Sequence, residues 1–168
     1  MSARARVSKE PDYFSRGAGF GAALSLDQRN TVLRFNGYYI HDEVYAVNRF
    51  APPTSSGTLT ASPRIHRGDL DVLSLGLAWD QVLSRSTTVT LGYDLALLNG
   101  FQANAYRIVR VMPGDGLPAA TPETHPEQRT RHAPYVWLSH FFLKNRAAVR
   151  LGYRLYRDNW GILAHSPE

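Results

Sequence analysis

The stretch of sequence that decides the fold is "AVRLGYRLYRDNWGILAH", residues 148–165. In its first half every second residue is apolar, which places these residues on one side of a β-strand: Val149, Leu151, Tyr153 and Leu155. The residues between them are basic, small or amphipathic and point to the other side: Arg150, Gly152, Arg154 and Tyr156. Two arginines on one side would be costly in the core of an ordinary β-sandwich. The stretch therefore predicts a strand with one apolar and one polar face, and it raises the question of which face meets water.

The same alternation recurs along the chain. It predicts six long strands at about residues 12–26, 31–47, 70–83, 87–100, 131–143 and from 147 onward. Tight polar turns with the sequences "DQRN", "SRST" and "KNR" join them into three hairpins, and long polar segments separate the hairpins. In residues 131–143 both faces carry aromatic side chains, so the orientation of that strand stays open. We predict an all-β, antiparallel, up-and-down meander.

The lengths of the strands and connections point to one architecture. Long antiparallel strands with short turns at one end and long loops at the other are typical of outer-membrane β-barrels. The apolar face then meets lipid, and the interior holds the polar side chains of Arg34, Asn36, Asp94, Arg150 and Arg154. A soluble antiparallel barrel or sandwich, with the apolar face inside and a small apolar ligand bound there, stays open as an alternative because alternation alone does not distinguish inside from outside.

Length and charge limit the remaining classes. A chain of 168 residues is long enough for one domain, and we expect a β-barrel domain over residues 12–168 after a disordered basic tail at residues 1–11. The formal net charge of +5 is scattered and accompanies no nucleic-acid-binding module. No apolar run reaches the roughly 20 residues of a membrane helix, and the start of the sequence lacks the apolar core of a signal peptide. Either the protein is cytosolic, or Met1 is not the native start of a secreted protein.

Charged and aromatic residues gather in two segments that lie at the predicted long-loop end of the strands. The candidate residues at this rim are Glu127, Arg129, Arg131, Asp158, Trp160 and His165. We expect an arginine–carboxylate network that includes Asp158 and fixes the loops, with Trp160 as an interfacial anchor. No catalytic role and no cofactor are predicted for these residues.

Two chemical alternatives are weak on the sequence. The chain has six histidines and no cysteine, and no histidine pair has ligand spacing on one face of a strand, so no metal site is predicted. Ser139 and His140 suggest a membrane-embedded lipid hydrolase, but adjacent residues of a strand point to opposite faces and cannot act as partners. We therefore predict a protein that is not an enzyme.

Several motifs resemble one family of bacterial proteins, known as domain of unknown function 3570. The similar pieces are, in order, "DYFSRGAGFG", "RNTVLRFNGYY", "DVLSLGLAWDQVLSRSTTVTLGYDLALLNGF", "HPEQRTRHA" and "YRLYRDNWGILAH". The resemblance covers nearly all of residues 12–166, and its most specific parts are "HPEQRTRHA" and "YRDNWGILAH". It implies a β-barrel in the outer membrane of a Gram-negative envelope, in contact with lipid, with no established activity. A pore, a transport component or an envelope scaffold are the non-enzymatic roles that fit.

The resemblance also concerns the ends of the sequence. Family members usually carry a signal peptide and a longer N-terminal section, and they continue with further strands beyond the last motif. Six strands are fewer than the eight of the smallest usual single-chain barrels, and open sheet edges are not tolerated in lipid. Three explanations stay open. The sequence is a piece of a longer protein, its start and end have been assigned wrongly, or a second copy covers the sheet edges in a homo-oligomer.

Overall fold

The computed structural model describes residues 1–47, 64–111, 119–144 and 146–168. Ten strands are present in this part of the chain: β1 (Ser2–Glu10), β2 (Tyr13–Leu26), β3 (Thr31–Val47), β4 (Arg64–Ser84), β5 (Thr87–Gly100), β6 (Ile108–Val111), β7 (Ala119–Pro122), β8 (Gln128–Phe142), β9 (Ala147–Asp158) and β10 (Leu163–Pro167). A short 3-10 turn, Asp27–Arg29, joins β2 to β3. None of the described helical segments is long and apolar enough to cross a membrane.

Eight strands form one antiparallel sheet in the order β1-β2-β3-β4-β5-β8-β9-β10. Strands that are neighbours in space are also neighbours along the chain, except that the separate hairpin β6–β7 lies between β5 and β8 in sequence. The predicted all-β meander is confirmed, and its three hairpins are β2–β3, β4–β5 and β8–β9. Within the described residues β1 and β10 do not pair with each other, and they form the two edges of the sheet.

The count of six strands is wrong, because both ends of the sequence add a strand. Residues 2–10, predicted as part of a disordered tail, pair along their whole length with β2. At the other end the opening stretch forms two strands, since the chain turns after Asp158 and returns as β10. Gly161 has a φ of 85° in this turn, a conformation that glycine adopts without a steric penalty.

The long polar segments contain more strand than the sequence predicted. β4 begins at Arg64, six residues before the predicted start. The segment after β5 forms the small hairpin β6–β7, which is not part of the main sheet. The predicted turn "GDGLP", residues 114–118, lies outside the described residues.

The register of the sheet aligns alternate residues into rows across the strands. One row contains only apolar or aromatic residues and runs through Leu33, Trp79, Leu91, Val136 and Tyr153. The next row lies on the other side of the sheet and runs through Arg34, Ala78, Gly92, Tyr135 and Arg154. We call these two sides the apolar face and the polar face. The open question about β8 is thereby answered, since its Tyr135 and Trp137 lie on the polar face.

Exposure distinguishes the two faces in a way opposite to that of a soluble sheet. Large side chains of the apolar face are widely exposed, as for Leu33 (43%), Leu77 (55%), Leu91 (44%) and Leu151 (59%). The buried residues lie mainly on the polar face and include Ser15, Asp42, Leu98, Ala133 and Asp158. The polar face is therefore the enclosed side of the sheet.

Glycines on the polar face leave space that aromatic rings of the next strand occupy. The ring of Tyr135 lies over Gly92, and the ring of Trp137 lies over Gly152, so closely that an added Cβ atom would overlap either ring. Tyr38 covers Gly19 in the same way. The aromatic side chains thus lie flat along the inside of the sheet, which lets bulky groups occupy an enclosed face.

Candidate functional site

The polar face forms a cavity of about 240 Å³, here called the lower cavity, near the short-turn end of the strands. Its lining residues come from β3, β5, β8, β9 and the end of the chain: Arg34, Thr90, Asp94, Tyr135, Trp137, Arg150, Arg154 and Glu168. In a flat sheet β3 and β9 would be four strand spacings, or about 19 Å, apart. Since one small cavity contacts side chains of both β3 and β9, the sheet curls around its polar face. Four of the five predicted interior residues line the lower cavity, and the fifth, Asn36, lies on the same face opposite Gly76.

Ion pairs satisfy the charged groups of the lower cavity. Arg34 donates to Asp80 at 2.8 Å, and Thr90 donates to the same carboxylate oxygen at 2.7 Å. Arg154 reaches across β8 to donate to Asp94 at 3.3 Å, with both side chains almost half exposed. Such exposed pairs contribute little to stability, so their main effect is to place matched charges inside the curled sheet.

Arg150 has an aromatic partner. Its guanidinium carbon lies 4.1 Å from the centre of the Trp137 ring, within the range of a cation–π interaction. Because Trp137 is itself supported on Gly152, the arginine is held against the inner surface of the sheet.

A second cluster, the Asp158 cluster, lies at the opposite end of the strands, where the long loops begin. Asp158 has a fully buried side chain that accepts hydrogen bonds from Nε of Arg129 at 2.9 Å and from the Tyr156 hydroxyl at 2.9 Å. Its other oxygen accepts from the backbone amides of Trp160 at 3.0 Å and Ile162 at 2.9 Å. Charge-assisted bonds of this kind are stronger than neutral ones, so Asp158 ties the β9–β10 turn to β8. The predicted arginine–carboxylate contact across this hairpin is present.

Aromatic contacts extend the Asp158 cluster towards the hairpin β6–β7. Trp160 donates its ring N–H to the carbonyl oxygen of Gln128 at 3.0 Å, and the guanidinium of Arg129 lies 4.3 Å from the Trp160 ring centre. The His125 ring stacks on the Trp160 ring with 5.4 Å between the ring centres, and Nε2 of His125 lies 3.4 Å from Oε1 of Glu123.

Glu123 connects the cluster to the base of β6. It accepts a hydrogen bond from Arg107 at 3.2 Å, and the backbone amide of Glu123 donates to the carbonyl oxygen of Arg107 at 3.2 Å. Burial acts to raise the pKa of Glu123, but the bond from Arg107 and the nearby positive charge outweigh it and hold the pKa below its usual range. The carboxylate is therefore charged at neutral pH, as this contact requires.

Three other rim candidates do not share the side-chain ion pair that joins Arg129 to Asp158. Arg131 is the register partner of Asp158, but its Nε is buried without a hydrogen-bond partner in the described part of the chain. Glu127 contributes its backbone carbonyl oxygen, which accepts from the amide of Gly100 at 2.8 Å. The rim candidate His165 lies apart from Asp158, because it pairs with Leu155 and lies on the apolar face.

Histidines on the apolar face pair with nearby hydroxyls or carboxylates. The Tyr93 hydroxyl lies 2.6 Å from Nδ1 of His132, and Thr87 lies 2.8 Å from Nδ1 of His140. His41 lies 2.8 Å from Asp71. Among the described residues no group of three histidine, aspartate or glutamate side chains could hold a metal ion.

The serine–histidine pair considered for a lipid hydrolase is separated by the sheet. Ser139 is the register partner of Arg150 on the polar face, whereas His140 is the partner of Val149 on the apolar face.

Sequence reasoning missed several members of these clusters. Asp80 shares the alternation phase of Gly76 and Ala78, so its face was predictable but its contact with Arg34 was not. Trp137 lies on β8, whose orientation the alternation leaves open because both faces of that strand carry aromatic residues. Glu123 and His125 gave no periodic signal, because they lie between strands.

Comparison with known proteins gives a family but no assigned activity. The model of a family described as a protein of unknown function, DUF3570, matches residues 1–168. No curated protein and no solved structure matches the chain. The match to the family model extends over the whole sequence, and the chain therefore belongs to the DUF3570 family.

Proposed function

We propose that this chain forms part or all of a β-barrel in a bacterial outer membrane and serves the envelope without catalysing a reaction, as a pore or transport component or as a scaffold. The observation that carries the proposal is the reversed distribution of the two faces. Leucines of the apolar face are exposed, while aspartates and arginines occupy the enclosed polar face. In lipid the exposed leucines are favourable, and the interior offers water or ion pairs to the charges.

The height of the apolar face supports the same proposal. On β4 this face is apolar from Leu73 to Trp79 and is bounded by Asp71 at one end and Gln81 at the other. The ten residue steps from Asp71 to Gln81, at about 3.4 Å each, give about 34 Å along the strand between these two polar limits. At the usual tilt of about 40° this corresponds to about 26 Å across a membrane, close to the roughly 25 Å apolar band of outer-membrane barrels.

On the neighbouring strands the apolar face ends at the same level as at Asp71, towards the long-loop end. A row of polar residues crosses the apolar face there and contains Arg16, His41, Asp71, Asn99 and Gln128. Such a row is expected at the level where the hydrocarbon gives way to head groups and water.

The soluble alternative requires the opposite arrangement. A barrel that binds an apolar ligand inside needs Leu91 and Leu151 in its core, yet they are 44% and 59% exposed. A soluble protein with the observed arrangement would instead place the apolar face of the whole sheet in water, an area far larger than the patches that monomeric soluble proteins expose.

Refolding tests the proposal directly. The chain is refolded with and without detergent micelles, and circular dichroism is compared with the mobility of unheated and boiled samples on a denaturing gel. We expect β-structure that requires detergent and a band that changes mobility only after boiling. A monodisperse β-protein in plain buffer would overturn the membrane proposal.

A further inference from the structure

Two adjacent rows in the upper half of the polar face carry more arginines than carboxylates. Two adjacent rows of the register bring Arg4 and Arg6 of β1 onto the same face as Arg129 and Arg131 of β8. The carboxylate in these rows, Asp158, is already bound to Arg129. In the described part of the chain no carboxylate lies within ion-pair distance of Arg4, Arg6 or Arg131.

A cavity of about 300 Å³ lies beside Arg4, the member of this group that lines it, and we call it the upper cavity. It is lined by Ser2, Arg4, Asn36 and Tyr38, with the glycines 19, 21 and 37 and Phe20 completing its wall. No carboxylate is among these lining residues. The lower cavity differs, since its arginines are accompanied by Asp94 and Glu168 in the lining and by Asp80 as the partner of Arg34.

We propose that the upper cavity binds a small oxyanion, with a phosphate or carboxylate group as the part that is recognised. The guanidinium of Arg4 offers two parallel N–H donors, the geometry that matches a phosphate or carboxylate. The hydroxyls of Ser2 and Tyr38 and the amide of Asn36 add neutral donors around it. Gly21 has no side chain, and the Ser2 hydroxyl oxygen at 3.1 Å and the Phe35 carbonyl oxygen at 3.8 Å are the atoms nearest to the position of an added Cβ, which keeps space for the anion above the strand.

The neighbouring arginines favour the same ligand charge. Arg6 is next to Arg4 on the polar face of β1, and the buried Nε of Arg131 has no partner in the described residues. Arg4 and Arg6 are exposed, so their positive charges attract an anion from solution over a distance that salt shortens. The inference rests on the proposed function only in that the anion reaches the upper cavity through the interior of the barrel.

The test measures binding of inorganic phosphate, pyrophosphate and succinate to the refolded chain by isothermal titration calorimetry. We expect one of these anions to bind, and binding to weaken when salt is raised from about 50 to 200 mM, because the contact is ionic. The three probes distinguish a phosphate ligand from a carboxylate ligand. Absence of saturable binding of all three anions below about 10 mM would overturn the proposal.

Variants locate the binding. Arg4→Gln should weaken it at least about tenfold, or about 1.4 kcal/mol, whereas the matched control Arg16→Gln removes an arginine from the opposite face of the same hairpin and should leave it unchanged. Equal weakening by both variants would overturn the proposal. Side-chain NMR signals of Arg4 and Asn36 give a second measurement on the wild-type chain, and they should shift when the anion is added.

The outcome can be separated from that of the proposed function. A protein that folds in plain buffer and binds the anion through Arg4 would support the site and reject the membrane barrel. A protein that needs detergent to fold and binds none of the three anions would reject the site and retain the barrel.

Discussion

Replacement of Leu77 by arginine tests the assignment of the apolar face most directly. Leu77 is 55% exposed and lies one residue from the midpoint between Asp71 and Gln81, the polar limits of the apolar face on β4. If lipid covers this face, the arginine lies near the bilayer centre and should cost about 3 kcal/mol, within the roughly 2–4 kcal/mol found at that depth. If water covers it, an exposed leucine becomes an exposed arginine and the cost should stay within about 0.5 kcal/mol.

Two matched variants show whether depth and face determine the cost. Leu24 lies in the row of Trp79, about 8 Å from the centre of the apolar face at the usual strand tilt. Its replacement by arginine should cost less than that of Leu77, about 1 kcal/mol. The adjacent Ser25 lies on the polar face, so Ser25→Arg should cost nearly nothing.

The assay is denaturant unfolding in lipid vesicles, followed by tryptophan fluorescence and by the change in gel mobility on boiling. The free energy of unfolding is compared among the three variants and the wild type. Equal, small costs for Leu77→Arg and Ser25→Arg would refute the reasoning, because the two faces would then meet the same solvent.

The remaining predictions concern the interior of the sheet. Asp158→Asn should lower the melting temperature and increase proteolysis of the β9–β10 turn. The control Asp94→Asn, which breaks a half-exposed ion pair, should change either property much less. Equal effects of the two variants would contradict the role given to the buried carboxylate of Asp158. Gly152→Ala should destabilise the fold by about 1–3 kcal/mol and alter tryptophan fluorescence, because the added methyl group meets the indole ring of Trp137. The control Gly21→Ala should be tolerated, because its added methyl group meets only the Ser2 hydroxyl oxygen, at 3.1 Å, at close range. Chemical denaturation measures the stability of both variants.

The hairpins of the fold could be predicted because their signals are local. The turns Asp27–Asn30 and Ser84–Thr87 are short, and period-two alternation runs up to each of them. The sequence does not predict the strand β1, because Arg4 and Arg6 belong to a basic cluster that is typical of a solvated tail. The small apolar residues Ala3, Ala5 and Val7 alternate with them, so the signal was present but weak. The strand β10 contains few apolar residues and therefore shows almost no alternation signal.

The clusters were less predictable because they depend on register. Arg129 and Asp158 could be paired, since they lie near matching ends of one hairpin. The contact of Arg34 with Asp80 depends on the pairing of β3 with β4, which passes through an irregularity between Val44 and Tyr45. Alternation gives the face of a side chain but not its partner on the next strand.

The order of the strands has a consequence for the kinetics of folding. Every pair in the main sheet except β5–β8 joins consecutive strands, and most pairings require only a short loop to close. Longer segments separate β3 from β4, by about 16 residues, and β5 from β8, by about 27 residues. Closing a loop of 27 residues costs about 1.7 kcal/mol more entropy than closing one of four residues. We therefore expect β2–β3, β4–β5 and β8–β9 to form early as separate hairpins, and the joining of β5 to β8 to be a late, slow step in assembly of the sheet.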